Sequence, residues 1–322
     1  MKMEVNLIQQ INFFIIPINI GTSSQTIYLK DQKGIALVVT LLALVLITAM
    51  VVEFSYGVYI STNNLYNWRD SQRLSLMAKS GINVSAKYLL DILGRYSYSY
   101  PGSMELPVEN PFEDFNGTII VRIEDENSKF NINTIINQRG EEDTYGCDSF
   151  RRLLRALSLD EKIADRVLDW IDKDNIANLP DSETGAKNLP FISVDELLLI
   201  NGITRKDYDT LLPYVTVFGD GKININGSEK PVLRSLSDSM SDVLAQRVID
   251  YRGNTPFDGT DKISKVSGFE EALGLSLMGH ITVQGGAFYI RSIAESSGVK
   301  RIIETTFLMS KSTSEIRYWK EY

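Results

Sequence analysis

DQKGIALVVTLLALVLITAMVVEF occupies residues 31–54. From Ile35 to Val52 it carries no charged residue, and the first acid afterwards is Glu53. As a helix this run rises about 27 Å, close to the roughly 30 Å hydrocarbon core of a bilayer. A secretory signal has a shorter apolar region of about 7–15 residues that ends at a cleavage site of small residues. Here the apolar run passes straight into more helical sequence, so it reads as a membrane span. Lys30 and Lys33 lie before it, and no Lys or Arg follows until Arg69. Positive charge on that side places the N-terminus in the cytoplasm and the remainder outside it.

The helical pattern continues past the span. Phe54 to Leu93 contains no proline, and Leu65, Leu74, Met77, Ala78, Ile82, Ala86, Leu89, Leu90 and Leu93 recur at three- and four-residue spacing. Gly57 and Gly81 weaken such a helix without breaking it. One helix of roughly 88 Å is expected from Ile35 to about Leu93. Before the span, LIQQINFFIIPINI (7–20) is apolar but short and broken by Pro17. Residues 1–34 are therefore read as a leader, overlong through a misassigned start, with a second span as the alternative.

Gly94 to Gly117 is punctuated by Gly, Pro, Ser and Asn and reads as a loop. TIIVRIEDE (118–126) reads as a strand, as do GAFYIRSIAES (286–296), VKRIIETTFLMS (299–310) and SEIRYWKEY (314–322). Their alternation suits one antiparallel sheet with a single buried face, packed on the amphipathic helix. Between the first strand and the others lies a mainly helical segment with an internal repeat. FNIN (130–133) and ININ (223–226) open the two copies. LLRALSLDEKIADRVLDWID (153–172) then matches VLRSLSDSMSDVLAQRVIDYR (232–252). ELLLINGITRKDYDTLLPYVTVFG (196–219) matches KISKVSGFEEALGLSLMGHITVQG (262–285). The expected division is a leader (1–34), the transmembrane part of the long helix (35–54), amphipathic helix, loop and first strand (55–129), inserted α-helical domain (130–282) and closing strands (283–322).

The net charge is −8, and residues 130–282 hold 17 Lys and Arg against 25 Asp and Glu, so the insert matches the whole excess. A bare nucleic-acid binder is expected to be basic. INGIT (200–204) and VSGF (266–269) resemble helix-hairpin-helix turns, yet Asp195, Glu196, Asp207 and Asp209 surround the first, beside Arg205 and Lys206. Glu270 and Glu271 follow the second. Close helix packing is the preferred reading of both glycines, and no nucleic acid is expected as a partner. Cys147 is the sole cysteine, which excludes an intrachain disulfide. His280 is the sole histidine, and Asp114 and Glu124 have nothing that joins them as an acid pair. No catalytic constellation is present, and the chain reads as a non-enzyme.

DWIDKDNIANLPDSETG (169–185) is the richest chemical stretch. Asp172, Asp174, Asp181 and Glu183 lie on a loop after a helix end, with Asp169 one turn back. Calcium takes six to eight oxygen ligands from carboxylates, carbonyls and amides. A loop with Asn175 and Asn178 among these acids can supply such a shell, although it lacks the glycine of an EF-hand, and a merely solvated acidic loop is the alternative.

Several motifs carry a family resemblance when taken in order. KGIALVVTLLALVLITAMVVEFSYG resembles the N-terminus of type IV pilin-like proteins. EDENSKFNIN (124–133), DWIDKD (169–174), SVDELLLINGIT (193–204), LLPYVTVFGDGKININ (211–226) and YWKE (318–321) resemble K-type minor pseudopilins of type II secretion systems. The likeness runs from about Lys33 to the end. It implies an α+β, pilin-like fold: a long N-terminal helix on an antiparallel sheet, with a large inserted helical domain. It also implies cleavage by a prepilin peptidase between Gly34 and Ile35 and N-methylation of Ile35. The soluble part would stand in the periplasm, anchored in inner-membrane lipid. I-type and J-type minor pseudopilins would be its partners at the pseudopilus tip, with secreted proteins as further contacts. Calcium binding in the helical domain is implied as well, with Asp169, Asp172, Asp174, Asp181 and Glu183 as the ligand set. The family pattern after Asp-Trp-Ile-Asp commonly has Gly-Ala-Glu and paired tyrosines; here Gly185-Ala186 meets Lys187 and the tyrosines are missing. Most pilin-like proteins carry Glu at the fifth mature residue, and this chain has Val39. That substitution implies a subunit with nothing stacked above it. The alternatives are a minor pilin of a type IV or DNA-uptake pilus and a membrane-anchored DNA-binding receptor.

Overall fold

The computed structural model describes residues 32–322 except 111, 114, 115 and 311. The expected leader up to residue 31, and Asp114 of the imagined acid pair, lie outside the described residues. The chain divides into two compact units, one ending at Leu65 and the other running from Tyr66 to Tyr322. Helix α1 (Gln32–Arg95) contributes to both. In the first unit its apolar residues from Ile35 to Val52 are exposed. Its most apolar window has a mean hydropathy of 3.0, so the helix is long and apolar enough to cross a membrane.

In the second unit α1 packs on a five-stranded antiparallel sheet of order β1-β2-β7-β8-β9. The strands are β1 (Ser103–Val108), β2 (Thr118–Asp125), β7 (Ala287–Ser296), β8 (Val299–Met309) and β9 (Ser314–Glu321). Leu74, Met77, Ala78, Ile82, Leu89 and Leu93 form the buried stripe of α1, facing Ile119, Val121, Ile123, Phe288 and Ile290. Gly81 sits on that stripe because the sheet comes too close for a side chain. A Cβ there would lie 2.8 Å from Val121 Cγ2 and press on Ser292 Oγ. At the far end Glu321 of β9 accepts a bond from Ser75 Oγ at 2.5 Å and pairs with Lys79.

Strand β1 corrects the expectation of a continuous loop over 94–117. Met104, Leu106 and Val108 face inward at every second residue. β1 is an edge strand, where Pro107 can lack an amide donor without breaking a ladder.

The insert leaves the sheet at the end of β2 and returns at the start of β7, two strands paired in antiparallel register. It holds β3 (Phe130–Asn131), α2 (Thr144–Ala156), α3 (Lys162–Ile171), α4 (Arg205–Leu211) and β4 (Val215–Thr216) as one copy. The second copy holds β5 (Ile223–Asn224), α5 (Lys230–Ser235), α6 (Asp242–Asn254), α7 (Glu271–Leu277) and β6 (Ile281–Thr282). Each copy is closed by a two-residue parallel pairing, β3 with β4 and β5 with β6. The segment before each glycine turn, expected as an α-helix, is a 3₁₀ turn of six residues (Val194–Leu199 and Thr260–Lys265).

The repeat extends to individual bonds. Asn133 gives its amide to the carbonyls of Phe191 and Val217 and accepts the Phe191 N–H at 2.8 Å. Asn226 does the same with Phe257 and Val283, again accepting at 2.8 Å. Gly202 (φ +87°) and Gly268 (φ +82°) occupy the left-handed region. Beside them, Arg166 and Arg247 donate to the carbonyls of Asn201 and Ser267, both at 3.0 Å. Each glycine turn is thus filled by an arginine of its own copy.

The two copies share one core but differ in depth. Asn226 is 1% exposed, whereas Asn133 is half-buried. Removing a buried amide strands its partners, at about 1–3 kcal/mol each. Asn226→Ala is therefore expected to cost about 3 kcal/mol in guanidinium denaturation of the full-length protein, and Asn133→Ala about half as much. Equal losses at the two sites would contradict this account.

Candidate metal centre

Helix α3 buries Ile163, Val167, Leu168 and Ile171 on its apolar face. This phase puts Asp169 inside as well, at 0% exposure. A buried carboxylate needs donors, and the following loop provides them. Asn178 N–H donates to Asp169 Oδ2 at 2.9 Å, the Asn178 amide to Oδ1, and Ser182 Oγ to Oδ2. Asp169 thereby pins the loop at its middle. Asn188, at φ +51°, binds the Asp174 carbonyl at 3.3 Å and holds the loop's other end.

The pinned loop brings Asp172, Asp174 and Glu183 together, with one carboxylate oxygen of each within 4.8 Å of the others. Asp172 is 5% exposed, and its Oδ1 has no hydrogen-bond partner. Glu183 Oε1 and Asn188 Oδ1 are likewise buried without partners. Burial and the charges of Asp174, Glu183, Asp169 and Glu142 push the Asp172 carboxyl up to about 7. Burial, Asp169 and Asp174 also raise Glu183.

Of the five acids singled out by sequence, three therefore converge. Asp169 supports the loop from beneath, and Asp181 stands exposed at φ +64° outside the trio. Asn178, expected with Asn175 as an oxygen supplier of the loop, instead holds Asp169, and the second holder, Ser182, was not singled out by sequence. Their signal was present as amide and hydroxyl residues spaced through an acidic loop. Lys187, where the sequence departs from the family pattern, is engaged elsewhere, pairing with Glu196 at 2.8 Å. Hydrogen bonds from Lys187 and from the Ile192 N–H outweigh burial and hold the Glu196 carboxyl below its usual range.

Three converging carboxylates, two of them with buried oxygens that lack a partner, repel one another and have the chemistry of a hard-cation site. The trio, the Asp169 pin and the surrounding copy form the first half of the insert. Two family models described as Type II secretion system (T2SS), protein K, match residues 128–220 and 223–283. Over its insert the chain resembles the type II secretion protein K family. The two matched segments coincide with the two structural copies. A protein K of Pseudomonas aeruginosa is 27% identical over 316 residues, 89% of this chain and 92% of that one. One of Klebsiella pneumoniae is 28% identical over 218 residues, 61% of this chain and 65% of its own length. A solved chain from the GspK-GspI-GspJ complex of the enterotoxigenic Escherichia coli type 2 secretion system matches with a TM-score of 0.64 and 17% identity. That match covers 80% of this chain and 99% of the other, and shows a shared fold. The protein is thus a minor pseudopilin, a structural subunit with an α+β, pilin-like fold.

The raised Asp172 value fixes a sign for pH dependence. An aspartate whose folded value lies above its unfolded value near 3.8 contributes stability fully present below that pH. This contribution is lost as pH rises toward 7. In chelator, the melting temperature of the protein should therefore fall relative to Asp172→Asn between about pH 4 and about pH 7. A difference that stays flat across that window would refute the crowded cluster.

Proposed function

We propose that this minor pseudopilin caps the tip of a short periplasmic pseudopilus, and that it acts by packing rather than by catalysis. The carrying observation is α1 itself, which has no acid in its first turn and none before Glu53. In a pilin stack an acid near the N-terminus neutralises the terminal amine of the adjoining subunit inside lipid, where an unpaired charge costs several kcal/mol. Val39 offers no such partner to a subunit above. Lys33-Gly34 before Ile35 suits a prepilin peptidase, with Ile35 as the methylated mature end. The soluble part then faces the periplasm from an inner-membrane anchor. The solved relative comes from a complex with I and J proteins, which supports the same two partners here, with the complex nucleating assembly for export across the outer membrane.

N-terminal sequencing of membrane-purified protein should read N-methyl-Ile35. Val39→Glu should let the processed protein enter the filament body, where immunogold labelling would find it along the shaft. Wild-type label along the shaft, with no change in the variant, would sink the tip assignment.

Calcium is the cation we assign to Asp172, Asp174 and Glu183, with Asp169 as support and not as ligand. Three carboxylates on a loop that also bears amides and carbonyls suit its oxygen-rich shell. The ion would neutralise the trio and brace the loop. Saturating calcium at about 100 times its Kd is expected to stabilise the folded protein by about 2.7 kcal/mol over chelator. Asp174→Asn should abolish the accompanying rise in melting temperature, and Asp181→Asn should leave it intact. No rise in the wild type at millimolar calcium would exclude the assignment.

A further inference from the structure

Residues 139–142 form a turn ahead of α2, anchored by Asn137, whose Oδ1 accepts the Arg139 N–H at 2.8 Å. The Gly140 carbonyl accepts the Lys173 N–H at 3.0 Å, so this turn is fixed against the acidic loop. Between them opens a cleft of about 350 Å³, lined among others by Arg139, Glu141, Glu142, Asp172, Lys173 and Asp174. Asp172 and Asp174 belong both to the cleft wall and to the metal trio. Asp172 Oδ1 is buried and has no hydrogen-bond partner.

Arg139 and Lys173 are the cleft's only basic groups, and among the described residues neither side chain forms an ion pair or hydrogen bond. Without a metal the lining holds four carboxylates against these two cations. A divalent ion on the shared wall balances that charge. It also has coordination positions left over, because calcium takes six to eight oxygens and the trio is its only carboxylate shell.

We propose that this cleft binds a carboxylate of a partner polypeptide, and that calcium switches the binding on. The inference rests on the calcium reading above. Arg139 and Lys173 receive the incoming carboxylate, and the ion offers it an open position. Before the ion is present, four like charges repel it. The ligand is a peptide side chain and not a free anion because the cleft has the volume of ligand pockets of about 300–1,000 Å³. That is several times the need of a lone carboxylate. Ile176, in the same lining and 73% exposed, gives flanking residues an apolar contact.

Binding linkage supplies the test, since a ligand that needs calcium must tighten calcium in return. Calorimetry on the full-length protein in detergent would measure calcium affinity alone and with acetyl-Gly-Asp-Gly-amide, acetyl-Gly-Asn-Gly-amide or acetate. The aspartyl peptide is expected to raise calcium affinity about tenfold, and the asparaginyl peptide and acetate less than about twofold. The double variant Arg139→Ala/Lys173→Ala should still bind calcium, at least as tightly as the wild type because two nearby cations are gone, which also reports that its loop is folded, and lose the peptide effect. Calcium binding with no peptide effect overturns this inference alone. Equal effects of acetate and peptide overturn the polypeptide ligand. Saturation-transfer NMR showing peptide bound equally well in chelator overturns the switch. Absence of any calcium binding instead removes the metal reading on which the inference stands.

Discussion

The Asp125 carboxylate is sealed at the point where sheet and insert meet, and three segments must converge to keep it there. Ser99 Oγ and the Asn224 amide donate to its Oδ2 at 2.9 and 2.6 Å, and the Asn127 N–H donates to Oδ1 at 2.9 Å. Ser99 follows α1, Asn224 opens the second copy, and Asn127 begins the insert. Burial of a carboxylate is costly unless such donors surround it. The compensation is incomplete, because burial still outweighs these bonds and pushes the group up to about 6. Asn127 extends the junction, binding Asp220 and the Lys222 carbonyl while accepting from Gly286 and Ala287. Glu126 ties in the first copy through Thr216 and holds Lys129. Three consecutive residues, Asp125 to Asn127, therefore set the insert onto the sheet.

The acidic loop applies the same physics with the opposite outcome. At Asp125 protein donors reach both carboxylate oxygens, although burial still raises the group. At Asp172 and Glu183 a buried oxygen stays unpaired, and acids crowd round it; only Asp174, at the surface, accepts a backbone N–H, from Ile176. Asp169 shows the boundary between these conditions. It lies only one turn from Asp172, yet Asn178 and Ser182 satisfy it and make it a structural post. Chemistry along the loop thus depends on which carboxylates find donors, not on how many carboxylates there are.

Much of this was legible in the sequence, for identifiable reasons. The long helix could be read because its apolar stripe keeps one phase from Leu74 to Leu93. The repeat could be read because FNIN and ININ are demanded by the same pairing and the same asparagine bonds. β1 was hidden by the turn-forming residues around it, although Met104, Leu106 and Val108 alternate. The division of the five acids was hidden too, since the inward aim of Asp169 depends on the packed phase of α3. The arginines over Gly202 and Gly268 lie some 20–35 residues from the turns they fill, and only tertiary contact joins them.

The strand order has a consequence for how the molecule is made. β2 and β7 are neighbours in the sheet, yet the whole insert separates them along the chain. Closing so long a loop from an unstructured state is entropically slow. A folded insert changes this, because its own two ends already lie side by side at the Asn127 junction. β7, β8 and β9 can then zip onto β2 as if across a short turn. A chain whose insert has failed to fold presents β2 with an open hydrogen-bonding edge, a known invitation to aggregation or degradation. Folding of the insert therefore lowers the entropic cost of closing the sheet, by bringing β2 and β7 to within a short turn of each other.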